Sequence, residues 1–398
     1  MRIDLRIDEP IEKEGQVVWT SVIEMPQGER EPLWFRLPVG QPGFTITNHD
    51  PFVLATLFYA MRKGLPMHVH GCVSPSLLRN LEEFQWVWAT CKPDLYHKVE
   101  ITADREEEAV TTVGAESTIC AFSGGLDSAF SIYRHKTEQA GRLNRNITAG
   151  LMIDGFDIPL VQPETFERAF ANSAAMLKSL DVQALRVTTN FKTIYPGSTW
   201  RHVFGIGVAA CVSLFKGAFQ VGIKGSEHPY SNLVLPLGSS PLTDWMFSSQ
   251  SFTFVHDGAA FTRNQKAAIV TQWSEAMRRL RVCWEGKELD RNCGKCEKCL
   301  RTILNFKVNG VEKPLCLPFD VTSSQILNLH GMHEGLILEF EEILDAAKRI
   351  NVKAKWVGAL ELTLKWNRRQ LGRDRALPER IRAKIYRKLA DKWPVLQR

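Results

Sequence analysis

Residues 121–128 read Ala-Phe-Ser-Gly-Gly-Leu-Asp-Ser, and how they are read decides the fold. The run 118–122 is apolar, β-prone and short enough to be one buried strand. Beyond the stretch, Ala129, Phe130, Ile132 and Tyr133 recur at helical spacing. Gly124 and Gly125 therefore form a strand-to-helix turn. Lacking Cβ atoms, they let backbone N–H groups converge on one concavity, where the next helix presents unpaired donors and its positive dipole end. Such a turn binds phosphate. Ser123 and Ser128 add hydroxyl donors, and Asp127 is a carboxylate placed to hold Mg2+. No lysine follows the glycines, so this is not the Gly-Lys-Ser/Thr loop that serves γ-phosphate transfer.

From Thr118 onward strand and helix patterns alternate, which predicts a parallel sheet with helices on both faces. A strand over 147–153 ends in Asp154-Gly155-Phe156-Asp157. Ligands of such sheets bind beyond the carboxyl ends of the strands, so this acidic turn, with Asp154 foremost, belongs near a bound nucleoside. Pro163 opens a long helix with Phe166, Phe170, Ala174 and Leu177 as its buried stripe, and 182–188 is a further strand. A Tyr195-Pro196-Gly197 turn leads to Arg201, a candidate phosphate or carboxylate contact, and to His202, either a helix-start residue or a catalytic one, ahead of an apolar helix over 203–215. Another strand, 218–224, precedes a loop running to Ser251, long enough to suggest function. Asp244 is the one carboxylate in 239–250. Arg263 and Lys266 open a helix over 264–280 and face the same region, Lys266 as a catalytic cation.

Cys283, Cys293, Cys296 and Cys299 give the second specific signal. Two overlapping Cys-x-x-Cys steps, one containing Gly294, let backbone amides wrap onto thiolate sulfurs, with Cys283 supplied from a preceding strand. Four thiolates close a tetrahedron suited to structural Zn2+. Reduced, unliganded thiols and an iron-sulfur cluster are the alternatives. With 398 residues the chain has room for two or three domains, and 44% hydrophobic with 24% charged residues is the profile of a folded soluble protein. No apolar run reaches membrane-spanning length and the N-terminus has no hydrophobic signal core, so a cytoplasmic location is expected. An odd total of nine cysteines there argues for a metal site over disulfides.

Residues 1–115 read as an N-terminal α/β unit, with strands over 2–7, 16–24 and 33–37, helices over 52–61 and 75–88, and a strand over 97–102. Residues 106–115 are a plausible linker. Residues 320–398 read as helices, one of them over 354–371. Of the net charge of +6, residues 365–398 carry +9 and the remainder −3. A basic amphipathic helix from Pro378, with Ile381, Ile385 and Leu389 on its apolar stripe, is either a solvated face or a dock for an acidic protein or nucleic acid.

The stretch Ser-Gly-Gly-Leu-Asp-Ser resembles the PP-loop of the ATP pyrophosphatases, which cleave ATP between the α and β phosphates. Together with the Pro-Gly turn, the Asp-bearing loop and the Cys-x9-Cys-x2-Cys-x2-Cys spacing, it makes residues 117–310 resemble the QueC family, the 7-cyano-7-deazaguanine synthases. The resemblance implies a parallel doubly wound PP-loop core, adenine nucleotide alpha hydrolase-like, over 116–319, carrying a zinc knuckle and flanked by the two terminal segments. It implies ATP and Mg2+ bound through Ser123, Gly124, Gly125, Asp127 and Ser128, with Asp244 in the substrate loop. The implied reaction adenylates the carboxylate of 7-carboxy-7-deazaguanine and passes it to ammonia, giving an amide and then a nitrile. Three features depart from that pattern: the residues before the PP-loop, those after the cysteines, and Pro241-Leu242-Thr243-Asp244-Trp245 where the family has Gly-Tyr-Pro-Asp-Cys. They look more like the QueC-like proteins of anti-phage operons, QatC and its relatives in CBASS systems. For those, the resemblance implies acyl transfer to an amine on a partner protein encoded in the same operon. Housekeeping nitrile synthesis, tRNA thiolation and a non-catalytic nucleotide-binding scaffold are the other readings.

Overall fold

The computed structural model describes residues 1–41, 48–109, 117–195 and 200–376, and the fold is that of these residues. The Pro-Gly turn at 196–197, the linker after residue 109 and the basic helix after Pro378 lie outside them. The N-terminal part runs β1 (Ile3–Ile7), β2 (Ile11–Lys13), β3 (Gln16–Glu24), β4 (Arg30–Pro38), α1 (Asp50–Lys63), β5 (Met67–Val73), α2 (Pro75–Cys91) and β6 (Ile101–Glu106). Next come β7 (Thr118–Ala121), α3 (Leu126–Lys136), β8 (Ile147–Asp154), α4 (Pro163–Lys178), β9 (Gln183–Thr189), α5 (Trp200–Ser213), β10 (Val221–Gly225) and β11 (Thr253–Asp257). The remaining described helices are α6 (Arg263–Val270), α7 (Ser274–Arg279), α8 (Glu297–Val308), α9 (Ser323–Leu327), α10 (Glu334–Arg349) and α11 (Lys355–Ala376).

This is a mixed α/β fold with one large, mostly parallel sheet. Five parallel strands stand in the order β11-β10-β7-β8-β9, so the chain leaves β7 toward β8 and β9 and later returns to its other side as β10. The order reverses between β7 and β10, and beyond the carboxyl ends of strands at such a reversal is where sheets of this kind bind their ligands. Both faces are covered, as an almost wholly buried parallel sheet requires. Ile223 packs with Phe130 of α3, while Gly222 is pressed so closely by Val212 of α5 and by Phe252 that a Cβ would not fit.

The N-terminal strands extend this sheet rather than forming one of their own. β4 pairs antiparallel with β9 through Phe35 and Arg36 opposite Thr189 and Thr188, and the order continues β4-β3-β1-β5-β6. One apolar cluster spans the seam, holding Leu5, Phe35, Phe58 and Trp88 together with Val187, Phe191, Ile206 and Phe254. Polar groups fasten it too. Lys216, buried just after α5, reaches Asp50 of α1 at 2.7 Å, and the hydroxyl of Tyr195 donates to the carbonyl of Ala55 at 2.7 Å. At the other end, α9, α10 and α11 pack around Leu304 and Val308 of α8.

Several elements differ from the sequence-based expectation. The helix over 264–280 is broken into α6 and α7 because Trp273 turns inward, donating to the Ser179 hydroxyl at 2.9 Å and stacking on Tyr133. The strand expected over 97–102 begins only at Ile101. Before it, the backbone N–H groups of His97 and Val99 are drawn to the Met61 carbonyl and the Gln85 side chain. Cys283 lies in a loop, not a strand, and β5 and β11 were not foreseen at all. Among the described residues, no helix is long and apolar enough to cross a membrane.

Candidate functional site

The glycine turn sits where the strand order reverses. Gly124 has φ +75°, a left-handed conformation that an L side chain rarely adopts, and a Cβ there would lie 2.9 Å from the Ser173 hydroxyl. Gly225 ends β10 against the start of α3: its missing Cβ would come within 2.7 Å of the Asp127 carbonyl. The Gly125 N–H donates to the Ser123 hydroxyl at 3.3 Å, the Ser128 hydroxyl to the Gly125 carbonyl at 3.2 Å, and the two hydroxyls are 3.4 Å apart. Both serines thus line one small concavity at the N-terminus of α3.

Positive charge surrounds this turn. Asp127 is held by Arg263 at 2.9 Å and Lys266 at 3.3 Å, and both cations are buried. Burial alone would raise the Asp127 pKa, yet the charges of Arg263, Lys266 and Lys298 hold it well below the ordinary carboxylate range. Lys266, which also donates to the Ser226 carbonyl, is pushed down by burial, with Arg263 and Lys224 adding to the effect against the pull of Asp127. Arg281 was not singled out from the sequence. It is buried, donates through its backbone to Gly124 at 2.8 Å and through its guanidinium to the Ser123 carbonyl at 3.1 Å, and reaches Asp157 at 3.6 Å. That contact ties the acidic 154–157 turn to the glycine turn. The Nε atoms of Arg263 and Arg281 are buried without partners. Asp127 and the half-exposed Asp157 face Arg263, Lys266 and Arg281, which leaves positive charge in excess beside the turn.

The other candidates divide. Asp154 ends β8, where burial raises its pKa. One oxygen accepts from Thr188 at 3.2 Å, and the other is buried without a partner, which is costly unless a ligand donates to it. Arg201 lies exposed on the first turn of α5. Among the described residues its guanidinium makes no hydrogen bond or ion pair with the turn. His202 packs inward, 2.9 Å from the Tyr96 hydroxyl, as a structural residue. Asp244 is fully buried, with its oxygens taken by the Ser239 hydroxyl at 2.6 Å, the Ser240 N–H at 2.9 Å and His256 Nδ1 at 2.8 Å. It therefore orients His256 rather than meeting a ligand. Nε2 of His256 and Nδ1 of His228 are buried and unpartnered, and both residues line a small cleft with Leu237, Ser239 and Pro241.

The four cysteines converge. Their sulfurs lie within 4.8 Å of one another, with Cys283 to Cys296 at 3.7 Å and Cys293 to Cys299 at 3.9 Å. Tetrahedral Zn–S bonds of about 2.3 Å put sulfurs about 3.8 Å apart, so the group fits zinc. Sulfur hydrogen bonds from Cys296 and Cys299 pull the Cys283 thiol far below its usual range. Backbone N–H groups of Cys296 and Cys299 point at the sulfurs of Cys293 and Cys296, and Asn292 fastens the loop by accepting from Val282 and Cys283 and donating to Leu280 and Cys316. Cys296 caps α8, the helix that carries Lys298 and Arg301 toward Asp127.

A mixed α/β sheet with a cation-lined turn at its crevice and a four-cysteine group that could hold a metal is thus the class of protein defined. Comparison with known families, characterised proteins and solved structures yields no match.

Proposed function

We propose that this chain is an ATP-dependent adenylating enzyme that activates the carboxylate of a small heterocyclic acid, of the 7-deazaguanine class, and passes the acyl group to an amine. The observation that carries the reading is the cation-rich turn: a helix N-terminus, two hydroxyls and the buried charges of Arg263, Lys266 and Arg281, against which stand Asp127 and the half-exposed Asp157. A polyphosphate supplies the negative charge this crevice lacks. The unpaired oxygen of Asp154 suits a ribose hydroxyl or an amino group of the nucleoside.

In the first step a substrate carboxylate oxygen bonds to the α phosphorus, and the bond from that phosphorus to the pyrophosphate oxygen breaks. The turn and its cations stabilise the charge gathering on the departing pyrophosphate. Mg2+, which Asp127 would help to hold, would neutralise part of that charge. In the second step the amine nitrogen attacks the acyl carbon and AMP departs. The amine proton passes to a base, a role that His256, oriented by Asp244, suits chemically. Cys283, Cys293, Cys296 and Cys299 would hold zinc, which would stiffen the loop that positions Arg281.

The amine is proposed to be carried by a partner polypeptide. The loop after β10 rests on α2 of the N-terminal part, with Asn80 donating to the Ser248 carbonyl, Ser76 accepting from Gln250, and Phe84 packed against Phe247. An addition that buttresses the substrate loop favours a docked amine over free ammonia. The test is to incubate the zinc-loaded chain with ATP, Mg2+ and 7-carboxy-7-deazaguanine, with ammonia or neighbouring operon products, and follow every species by mass spectrometry. AMP and pyrophosphate formed only with the acid, and a partner gaining the acyl mass, are expected. ADP as product would refute the reading.

A further inference from the structure

We infer a second metal site, on the open face of the sheet's far edge, formed by His68, His70 and Asp104 and suited to a divalent first-row ion, zinc foremost. On β1, Ile3 and Leu5 are buried, so Asp4 and Arg6 between them face outward. The parallel registers β1·β5 and β5·β6 place Asp4 beside His68 and His68 beside Thr102 on that outward face. His68 Nε2 lies 2.9 Å from Asp104 Oδ1, His70 Nδ1 lies 3.9 Å from the same oxygen, and the three ligand atoms fall within 4.8 Å of one another.

What separates this group from an ordinary surface cluster is the other side of each imidazole. His70 Nε2 is 2.8 Å from an Asp4 oxygen, and His68 Nδ1 is 2.8 Å from the Thr102 hydroxyl. A carboxylate only accepts, so His70 carries its proton on Nε2 and, when neutral, turns a bare Nδ1 lone pair toward the Asp104 carboxylate. By the same rule His68 donates its Nε2–H to Asp104 when no ion is bound, so an ion held by all three residues displaces that one proton and meets the His70 lone pair as well. Backing each ligand imidazole with a carboxylate or hydroxyl on its far nitrogen is how histidine ligands are oriented and made more basic. Two histidines and one carboxylate leave further positions to water, as divalent first-row ions accept. The neighbouring cations are already engaged, Arg2 with Asp4 and Arg6 with Glu24. Such an ion ties edge strand β6, which pairs only with β5 in this sheet, to its neighbour.

The experiment titrates Zn2+ into the full chain with its cysteine group already loaded. Uptake of a second equivalent is expected, with a rise in melting temperature. His70→Gln and Asp104→Asn should each weaken that equivalent at least about 100-fold, and Asp4→Asn, which touches no ligand position, about 10-fold to 100-fold. Circular dichroism checks that each variant folds. With Co2+ as the probe, the second equivalent should show weak visible bands without the thiolate charge-transfer absorption of the cysteine group. Saturation at one equivalent, a second equivalent with thiolate bands, or unchanged affinity in both His70→Gln and Asp104→Asn would each overturn the site.

Discussion

Asp127 shows how far one residue's role depends on what surrounds it. From the sequence it is a loop carboxylate whose removal should spare the fold. In the structure its loss leaves Arg263 and Lys266 buried without their counter-charge, which typically costs about 3–5 kcal/mol. Asp127→Asn, keeping the shape, is therefore expected to lower the melting temperature and abolish ATP turnover, and pyrophosphate should restore more stability to the variant than to wild type. Equal stabilisation of both by pyrophosphate would argue against an anion in this crevice. The pH dependence has a definite sign. A carboxylate whose folded pKa is depressed contributes stability above its unfolded value, about 3.9, and loses it as pH falls toward the folded value. The stability gap between wild type and Asp127→Asn, followed by denaturant unfolding, should be constant from neutrality to about pH 4 and narrow only below that.

At the scale of elements, the loop after β10 and the cysteine loop are each fastened by named side chains, and each has a testable weak point. Asp244 accepts from Ser239, Ser240 and His256 in a fully buried setting, so Asp244→Ala leaves those donors unpaired at about 1–3 kcal/mol. Hydrogen exchange should quicken through 239–247 while β7 and β10 stay protected; uniform quickening would mean that Asp244 supports the whole sheet instead. Cys296 is at once a sulfur of the four-cysteine group and the cap of α8. Cys296→Ser should lower bound zinc at that group and the melting temperature together, because metal affinity and folding are linked there. Iron with visible absorbance in the purified wild-type chain would instead favour a cluster. The turn, the zinc-type spacing, α4 and α5 were legible because each is written in local pattern. β5 was not: the alternation of buried Met67 and Val69 with His68 and His70 lasts only four residues before Gly71 breaks it. The split of α6 from α7 was hidden for another reason, since Trp273 looks helical until Ser179 and Tyr133 are beside it.

For the molecule as a whole, the seam at β4 and β9 decides behaviour. Because one sheet and one apolar cluster cross it, unfolding by calorimetry is expected to show a single transition spanning residues 1–106 and the strands from β7 onward. Two separated transitions would show that the seam is weak. Lys216→Ala strands Asp50 in the same buried site, and a loss of about 3–5 kcal/mol should appear in that one transition. The amino-acid sequence by itself determined the alternation of strand and helix, the glycine turn at 123–128 and the four cysteines that could hold a metal, because glycine conformation, helical periodicity and short Cys spacing act over neighbouring residues. Only the tertiary structure decided that the first hundred residues join the same sheet, that Arg281 reaches the turn and the charge of Lys298 acts on Asp127, that Asp244 is spent on His256, and that His68, His70 and Asp104 meet. Those outcomes come from strand register and from charges brought together across long sequence separations, which local pattern does not encode.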